Sequence, residues 1–197
     1  MDRTRPPRTI DWTAELAEQL DWHWHAQARP RLDGLTDAEL GWEPVPGCWS
    51  VRRRAESTAP MQLGAGDGVV EYAIPTPDPA PVTTIAWRLA HLTVGVFGER
   101  AVSHFPEPGD SPLVYSGVDW PLTTDGALAL LDHWYGRWIA GVRSLDDAGL
   151  ATACGESEGP FAESSMAALV LHIHREAIHH LAEVALLRDQ YRAQVAS

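Results

Sequence analysis

The sequence has no lysine and only two cysteines among its 197 residues, whereas arginine occurs fifteen times. Cys48 and Cys154 are far apart in the chain. This usage excludes the disulfide framework of small secreted proteins and predicts a reduced, cytoplasmic protein. The absence of lysine indicates a GC-rich genome rather than any particular chemistry.

Long apolar runs and basic stripes are also missing. No stretch reaches the roughly 18 apolar residues of a transmembrane helix, and the N-terminal segment MDRTRPPRTIDW lacks the apolar part of a secretion signal. The net charge is −12 with histidines neutral, and such a surface repels nucleic acid and anionic membranes. The basic run at residues 52–54 is too short to change this. We therefore expect neither nucleic acid nor a membrane as a partner.

Four amphipathic segments have the period of an α-helix. They are predicted to run from about residue 11 to 32, from the caps Thr83 and Thr84 to about 105, from about 124 to 145, and from Ser164 or Ser165 to about 191. Between the first two, Thr36 and Glu39 match a capping box. The pattern predicts an all-α protein, a four-helix bundle in a single domain over residues 1–197.

Residues 52–82 interrupt the helical pattern between the first and second helices. They are rich in proline and glycine, and VVEYAI at residues 69–74 is β-prone. We expect an insertion that is a loop or a small β-hairpin. A segment of this length is either functional, for example as a lid, or mobile.

The fourth helical segment carries ionisable residues where apolar ones are expected. Its apolar stripe, which should face a core, consists of Leu169, Ile173, Val184, Leu187 and Tyr191. The same stripe also carries His172, Glu176, His180 and Glu183. Burying unpaired ionisable groups costs several kcal/mol or forces them to be neutral. Coordination of a metal ion by some of them would remove this conflict.

Glu176 and His180 lie one helical turn apart, with Cβ atoms about 5–6 Å from each other, so both can reach one ion. His91 is the best third ligand, because it lies on an apolar face of the second helix. Gly95 and Gly98 on that face would let another backbone or a ligand approach closely. Two histidines and one glutamate with an open position form a catalytic zinc arrangement.

Other interpretations of these polar residues stay open. A closed hydrogen bond between Glu176 and His180, without metal, fits the same spacing. His172 and Glu183 are each a fourth ligand, an outer partner that fixes an imidazole tautomer, or a proton carrier. His179 is expected to be exposed or an outer partner.

The remaining histidines and Cys48 are expected to be structural. His174 points away from Glu176 and is predicted to be exposed or packed at the helix edge. Three other histidines are predicted to be hydrogen-bonded core residues, namely His23, His104 and His133. Cys48 is interpreted as a small buried residue rather than a nucleophile.

IAWRLAHL in the second helix and HIHREAIHHLAEVALLRDQY in the fourth resemble the DinB-like superfamily. This superfamily includes DinB/YfiT proteins and thiol-dependent transferases and isomerases of similar fold. WEPVPGCWSVR after the first helix is similar to the corresponding family segment, so the resemblance spans most of the chain. It implies a four-helix bundle with a long crossover, a homodimer, and a divalent metal held by one residue of the second helix and two of the fourth. By position, these ligands are His91, Glu176 and His180.

Two features depart from the common family pattern. Glu176 stands where many members have a histidine. The mycothiol-dependent maleylpyruvate isomerase branch resembles this chain in having a glutamate there. Residues 179–183 read HHLAE where many members have HHxGQ.

The resemblance and the residues together predict a metal-dependent transferase that uses a low-molecular-weight thiol, such as mycothiol or bacillithiol, on an electrophilic small molecule. Zinc is the first choice of metal, with nickel, manganese and iron as alternatives. Glu183 or His172 would assist proton transfer, and Arg88 would bind a carboxylate of the thiol. The alternatives are a metal-dependent hydrolase, a non-enzymatic metal-binding or stress-response protein, and a metal-free helical dimer.

Overall fold

The computed structural model describes residues 9–196, so the first eight residues of the segment MDRTRPPRTIDW and the terminal Ser197 lie outside the described residues. The first predicted helix begins as α1, Trp12–His23, capped by the Asp11 carboxylate, which accepts from Ala14 N at 3.0 Å. It continues as a π-helical segment, Trp24–Ala28, and a 3-10 turn, Pro30–Leu32. The short helix α2, Asp37–Leu40, follows.

The other predicted helices also form, close to their predicted limits. They are α3, Ile85–His91; α4, Glu99–His104; α5, Thr124–Arg143; and α7, Met166–Val195. The hydroxyls of Thr84, Thr123 and Ser165 cap α3, α5 and α7. A π-helical segment, Leu92–Gly98, joins α3 to α4, and α6, Asp147–Ala151, is an additional short helix that the sequence did not predict.

Segment 52–82 contains a small antiparallel sheet rather than a loop or a single hairpin. Its strands are β1, Val51–Arg53; β2, Met61–Leu63; and β3, Gly68–Tyr72, with β3 in the centre. Val51 pairs with Val70, and Met61 pairs with Tyr72. The prediction of an all-α class is therefore corrected to a mostly helical protein with a three-stranded sheet.

The sheet is attached to the start of α3. Trp87 Nε1 donates to the carbonyl oxygen of Glu71 in β3 at 2.9 Å, and the hydroxyls of Ser50 and Thr84 hydrogen-bond at 2.9 Å. Val70 packs with the α3 residue Ala90 in a small buried cluster. These contacts fix α3 relative to the sheet, and α3 carries His91.

The long helices pack around one main hydrophobic core. Helix α1 contacts α5 and α7, and α3 contacts the same two helices. In the core, Trp24 stacks on Tyr135 with ring centroids 3.8 Å apart, and Trp138 and Phe97 are fully buried. None of the helices in residues 9–196 is both long enough and apolar enough to cross a membrane.

Helix α7 buries the apolar stripe that was predicted, since four of its members are buried, namely Leu169, Ile173, Val184 and Leu187. The expectation that the four ionisable residues share this stripe is wrong for three of them. The ionisable residues lie at its edge, where the side chains of His172, Glu176 and Glu183 are 46%, 32% and 32% exposed. Of the four ionisable residues, only His180 is buried, because α3 covers the helix at that level.

The prediction for His174 is wrong. The residue is completely buried, because α1, α3 and α6 all pack against α7. The ring of Trp138 meets the imidazole edge to face at 6.2 Å. Neither imidazole nitrogen has a hydrogen-bond partner among residues 9–196. Burial lowers the pKa of His174 to about 4.

We expect His174 to make the metal-free protein sensitive to acid. Because its pKa is about 4 when folded and about 6.5 when unfolded, protonation favours the unfolded state. Above pH 6.5 the protonation of His174 does not reduce the free energy of unfolding. As the pH falls towards 4 the free energy of unfolding decreases, by about 2 kcal/mol at pH 5. In urea unfolding at pH 7 and pH 5, His174→Leu should remove this part of the loss. The exposed His133→Leu should keep it, and equal losses in all three proteins would contradict the prediction.

Glu39 does not complete the predicted capping box. Thr36 caps α2 by accepting from Glu39 N at 3.2 Å, but the Glu39 carboxylate is buried and binds Arg188 on α7. Arg188 Nε donates to Glu39 Oε1 at 2.6 Å and the side chain is 1% exposed. Arg188 also donates to the carbonyl oxygens of Arg31 and Asp33. One buried ion pair thus joins α2 and the turn before it to α7.

Candidate metal centre

The structure brings together His91 at the end of α3 and His180 in the middle of α7. Their ring centroids are 4.7 Å apart, and the rings meet edge to face. One turn earlier on α7, Glu176 Oε2 lies 3.7 Å from His180 Nε2. His91 and Glu176 therefore each lie next to His180, between α3 and α7.

The two nitrogens of His180 have different surroundings. Nε2 faces Glu176, whereas Nδ1 lies 2.6 Å from Glu183 Oε2. Arg88 holds the same carboxylate oxygen, with its Nε 3.2 Å away. A carboxylate on Nδ1 fixes the tautomer that leaves Nε2 as the electron-pair donor, as in the carboxylate–histidine pairs of metal sites. Arg88 is engaged here, so its predicted role as a binder of the thiol carboxylate is not supported by these contacts.

His91 is held in a similar way by a residue that sequence analysis did not single out. Its Nδ1 lies 3.0 Å from the Tyr115 hydroxyl, which leaves Nε2 free to act as a ligand. The ring also stacks on Trp87 at 5.5 Å. Burial, with a smaller contribution from His180, lowers the pKa of His91 to about 4. The imidazole is therefore neutral at pH 7, as metal coordination requires.

Gly95 makes the contact between Tyr115 and His91 possible. A Cβ atom at this position would lie 2.5 Å from the Tyr115 hydroxyl and 3.0 Å from His91 Nδ1. At Gly98 a Cβ would lie 2.4 Å from Leu113. The predicted close approach occurs at both glycines: side chains approach Gly95, and at Gly98 the backbone oxygen of Thr93 would also lie 2.6 Å from a Cβ. Both glycines belong to the π-helical segment, a form often found at functional sites.

A second donor group shares His180. Among residues 9–196, the group of three whose ligand atoms all lie within 4.8 Å of one another is His179, His180 and Glu183, and the set of His91, Glu176 and His180 does not meet this distance. Ligands of a tetrahedral ion with bonds near 2.1 Å lie about 3.4 Å apart. The 2.6 Å contact of Glu183 with His180 is therefore a hydrogen bond, whereas the 3.7 Å between His180 and Glu176 is close to ligand spacing.

His172 lies next to the carboxylate of Glu176. Its Nδ1 is 3.7 Å from Glu176 Oε1 and also contacts Arg175. Arg175 itself is 69% exposed and lies 3.4 Å from the same oxygen. His172 is accordingly an edge residue of the site. The side chain of His179 is 63% exposed, as predicted.

The remaining histidines and Cys48 differ in how well they match the prediction. His104 is a hydrogen-bonded core residue, with Nε2 2.9 Å from Glu158 Oε1. The prediction is wrong for His133, which is exposed on α5, and His23 is half-buried against Gln27. Cys48 is buried, its thiol donates to Val45 O, and burial raises its pKa, which agrees with a structural residue.

Tyr115 is a site residue that sequence analysis missed. Tyr115 lies in a 3-10 turn between α4 and α5, Tyr115–Gly117, so no helical spacing connects it to His91. Trp87 precedes His91 by one turn, and this i, i+4 relation could have indicated the stacking. The glycine at position 95 was the only signal that something reaches His91 from outside the helix.

The two helices with their donors agree with a comparison of the sequence with known families. A profile of the DinB superfamily matches residues 19–184. The chain belongs to the DinB superfamily. No curated protein and no solved structure matches the chain. The DinB match includes α3 and α7 as far as residue 184, and the cluster of His179, His180 and Glu183 within it is compatible with a divalent metal.

Proposed function

We propose that this DinB protein is a divalent-metal-dependent transferase that joins a low-molecular-weight thiol, of the mycothiol or bacillithiol type, to an electrophilic small molecule. The observation that carries the proposal is that His91 and Glu176 each lie next to His180, with Nδ1 of each imidazole in contact with another residue. Together the three residues would offer two imidazole nitrogens and one carboxylate to an ion and leave a position open.

The donor chemistry fits a zinc-class ion, with nickel, manganese or iron as alternatives. When bound, the ion supplies a Lewis acid that lowers the pKa of a thiol sulfur, so that the thiolate is the nucleophile. Tyr115 would hold His91, and Glu183 with Arg88 would hold His180 in the orientation that ligation requires. The contacts of Tyr115 with His91, of Glu183 with His180 and of Arg88 with Glu183 are all present in the structure.

His172 is proposed to move the proton. Its side chain is 46% exposed and lies beside Glu176, so it can accept the thiol proton and release it to solvent. Glu183 would keep the proton on His180 Nδ1 through their 2.6 Å hydrogen bond. The thiolate would then attack the electrophile, with a new bond from sulfur to carbon and departure of the leaving group with its electron pair.

Three further features of the protein are proposals that rest on superfamily membership. We propose that α1, α3 with α4, α5 and α7 form the four-helix bundle of DinB proteins, with residues 1–197 as one domain. The pairwise contacts among α1, α3, α5 and α7 support this arrangement. We also propose that the protein is a homodimer, as many DinB proteins are.

Metal content and thiol consumption test the function together. Elemental mass spectrometry on untagged protein should find near-stoichiometric metal in the wild type and in the matched surface variant His133→Ala/Glu163→Ala. Glu176→Ala/His180→Ala should have lost it. With mycothiol or bacillithiol and 1-chloro-2,4-dinitrobenzene, thiol consumption should follow metal content and should be lost in His91→Ala.

The other outcomes would each replace the proposal. Turnover of ester or amide substrates without thiol would establish a metal-dependent hydrolase. Bound metal that raises thermal stability, without turnover of any electrophile, would establish a binding or stress-response protein. Absence of metal in wild type after reconstitution with zinc, nickel, manganese and iron would leave a helical protein with a hydrogen-bonded polar cluster.

A further inference from the structure

A cavity of about 620 Å³ lies beside the candidate metal centre. It is bounded by the first half of α7, by the segment that leads into α7, and by the side chain of Arg100 on α4. The residues that line it include Arg100, Phe161, Ala168, Leu169, His172 and Arg175. The volume is that of a site for a small organic molecule.

The cavity and the metal centre share a wall. His172 and Arg175 line the cavity, and both approach Glu176 Oε1, at 3.7 Å and 3.4 Å. A molecule in this cavity would therefore have one end next to the residue proposed to ligate the metal. This proximity to Glu176 distinguishes the cavity from the other grooves of the surface.

Two arginines in this wall contrast with the charge of the chain, which is −12. Arg175 is 69% exposed, so guanidinium donors remain available beyond its contacts with His172 and Glu176. Arg100 has a buried Nε without a hydrogen-bond partner in residues 9–196. Glu158 also lines the cavity, but its carboxylate is bound by His104 at 2.9 Å and Arg100 at 3.4 Å.

The rest of the wall is apolar. Leu169 and Ala168 line the cavity from α7, and Phe161, which is 69% exposed, lines it from the segment before α7. A ligand with an apolar body could pack between these residues and place an anionic group against the guanidinium of Arg175. Guanidinium groups bind carboxylates through two parallel, charge-assisted hydrogen bonds.

We propose that this cavity binds the substrate of the proposed reaction and that the substrate is an amphiphilic carboxylate, with the carboxylate at Arg175 and the apolar part between Phe161 and Leu169. The assignment as substrate rests on the proposed function, whereas the cavity's preference for a carboxylate does not. Arg175 is thus the residue that determines specificity.

Isothermal titration calorimetry with a matched pair of probes tests this on metal-free protein. We expect 4-phenylbutanoate to bind about tenfold more tightly than 4-phenylbutan-1-ol, which lacks the charge. Arg175→Gln should lower the affinity for the carboxylate about tenfold and leave the alcohol unchanged. Ala168→Trp, at an exposed position of α7, should fill the cavity and abolish binding of both probes.

Arg192→Gln is the matched control, because Arg192 lies on the same helix and is 56% exposed, far from the cavity. It should leave both affinities unchanged. Equal affinities of the two probes for wild type, or carboxylate binding that survives Arg175→Gln or Ala168→Trp, would overturn the proposal. Since the measurement needs neither metal nor thiol, a failure here is distinct from a failure of the proposed reaction.

Discussion

Gly95→Ala is expected to lower the affinity of the protein for zinc by about 10- to 100-fold, the usual effect of losing an outer partner of a ligating histidine. The new Cβ would lie 2.5 Å from the Tyr115 hydroxyl, which is not a sustainable contact. Tyr115 must move, and His91 Nδ1 then loses its partner at 3.0 Å. Competition with a chromophoric zinc chelator measures the affinity directly.

Two variants separate this effect from a general change in the helices. Tyr115→Phe removes only the hydroxyl and should cause a similar loss of affinity without any clash. Gly136→Ala makes the same change at an exposed position of α5, where nothing lies within 4 Å of the new atom. It should leave zinc affinity unchanged and stabilise the protein by up to about 1 kcal/mol. Wild-type affinity in both Gly95→Ala and Tyr115→Phe would show that Tyr115 does not position His91.

Arg188→Met is expected to lower the free energy of unfolding by about 3–5 kcal/mol, the usual result of removing one partner of a buried ion pair. The Glu39 side chain is 4% exposed, and its remaining cationic neighbour, Arg192, is 4.0 Å away. The carbonyl oxygens of Arg31 and Asp33 also lose a donor. Urea unfolding followed by circular dichroism gives the difference.

The cause of this loss can be separated from lost packing. Glu39→Leu combined with Arg188→Met removes both charges and should recover much of the stability, because no unpaired charge remains. Arg192→Met changes an exposed neighbour on the same helix and should cost less than about 1 kcal/mol. If Arg188→Met were as stable as wild type, the ion pair would contribute little to the free energy of unfolding.

The parts of the fold and site that follow from local sequence could be predicted. Helical period and caps located the long helices, since each depends on residues within a few positions. The i, i+4 spacing of Glu176 and His180, and the apolar face of His91, were enough to indicate that Glu176 and His91 each lie next to His180. Their role as metal ligands stays a prediction.

The errors concern contacts between distant parts of the chain. His174 appeared to be on a free side of its helix, because helical period gives one face at a time and does not show that three helices pack around α7. Glu39 matched a local capping motif, yet its carboxylate binds Arg188, 149 residues later. Tyr115 reaches His91 from a turn with no periodic relation to α3. Such pairs depend on the tertiary arrangement, which spacing alone does not specify.

The hydrogen bond from Trp87 to the carbonyl oxygen of Glu71 has a thermodynamic consequence for the metal centre. Trp87 stacks on His91, so opening of β3 releases a side chain that confines one proposed ligand. Conformers in which the sheet has detached should then bind metal less tightly than the closed form. By linkage, bound metal would make detachment of the sheet correspondingly rarer. The sheet contributes none of the proposed ligands, yet its attachment to α3 would contribute to the free energy of metal binding.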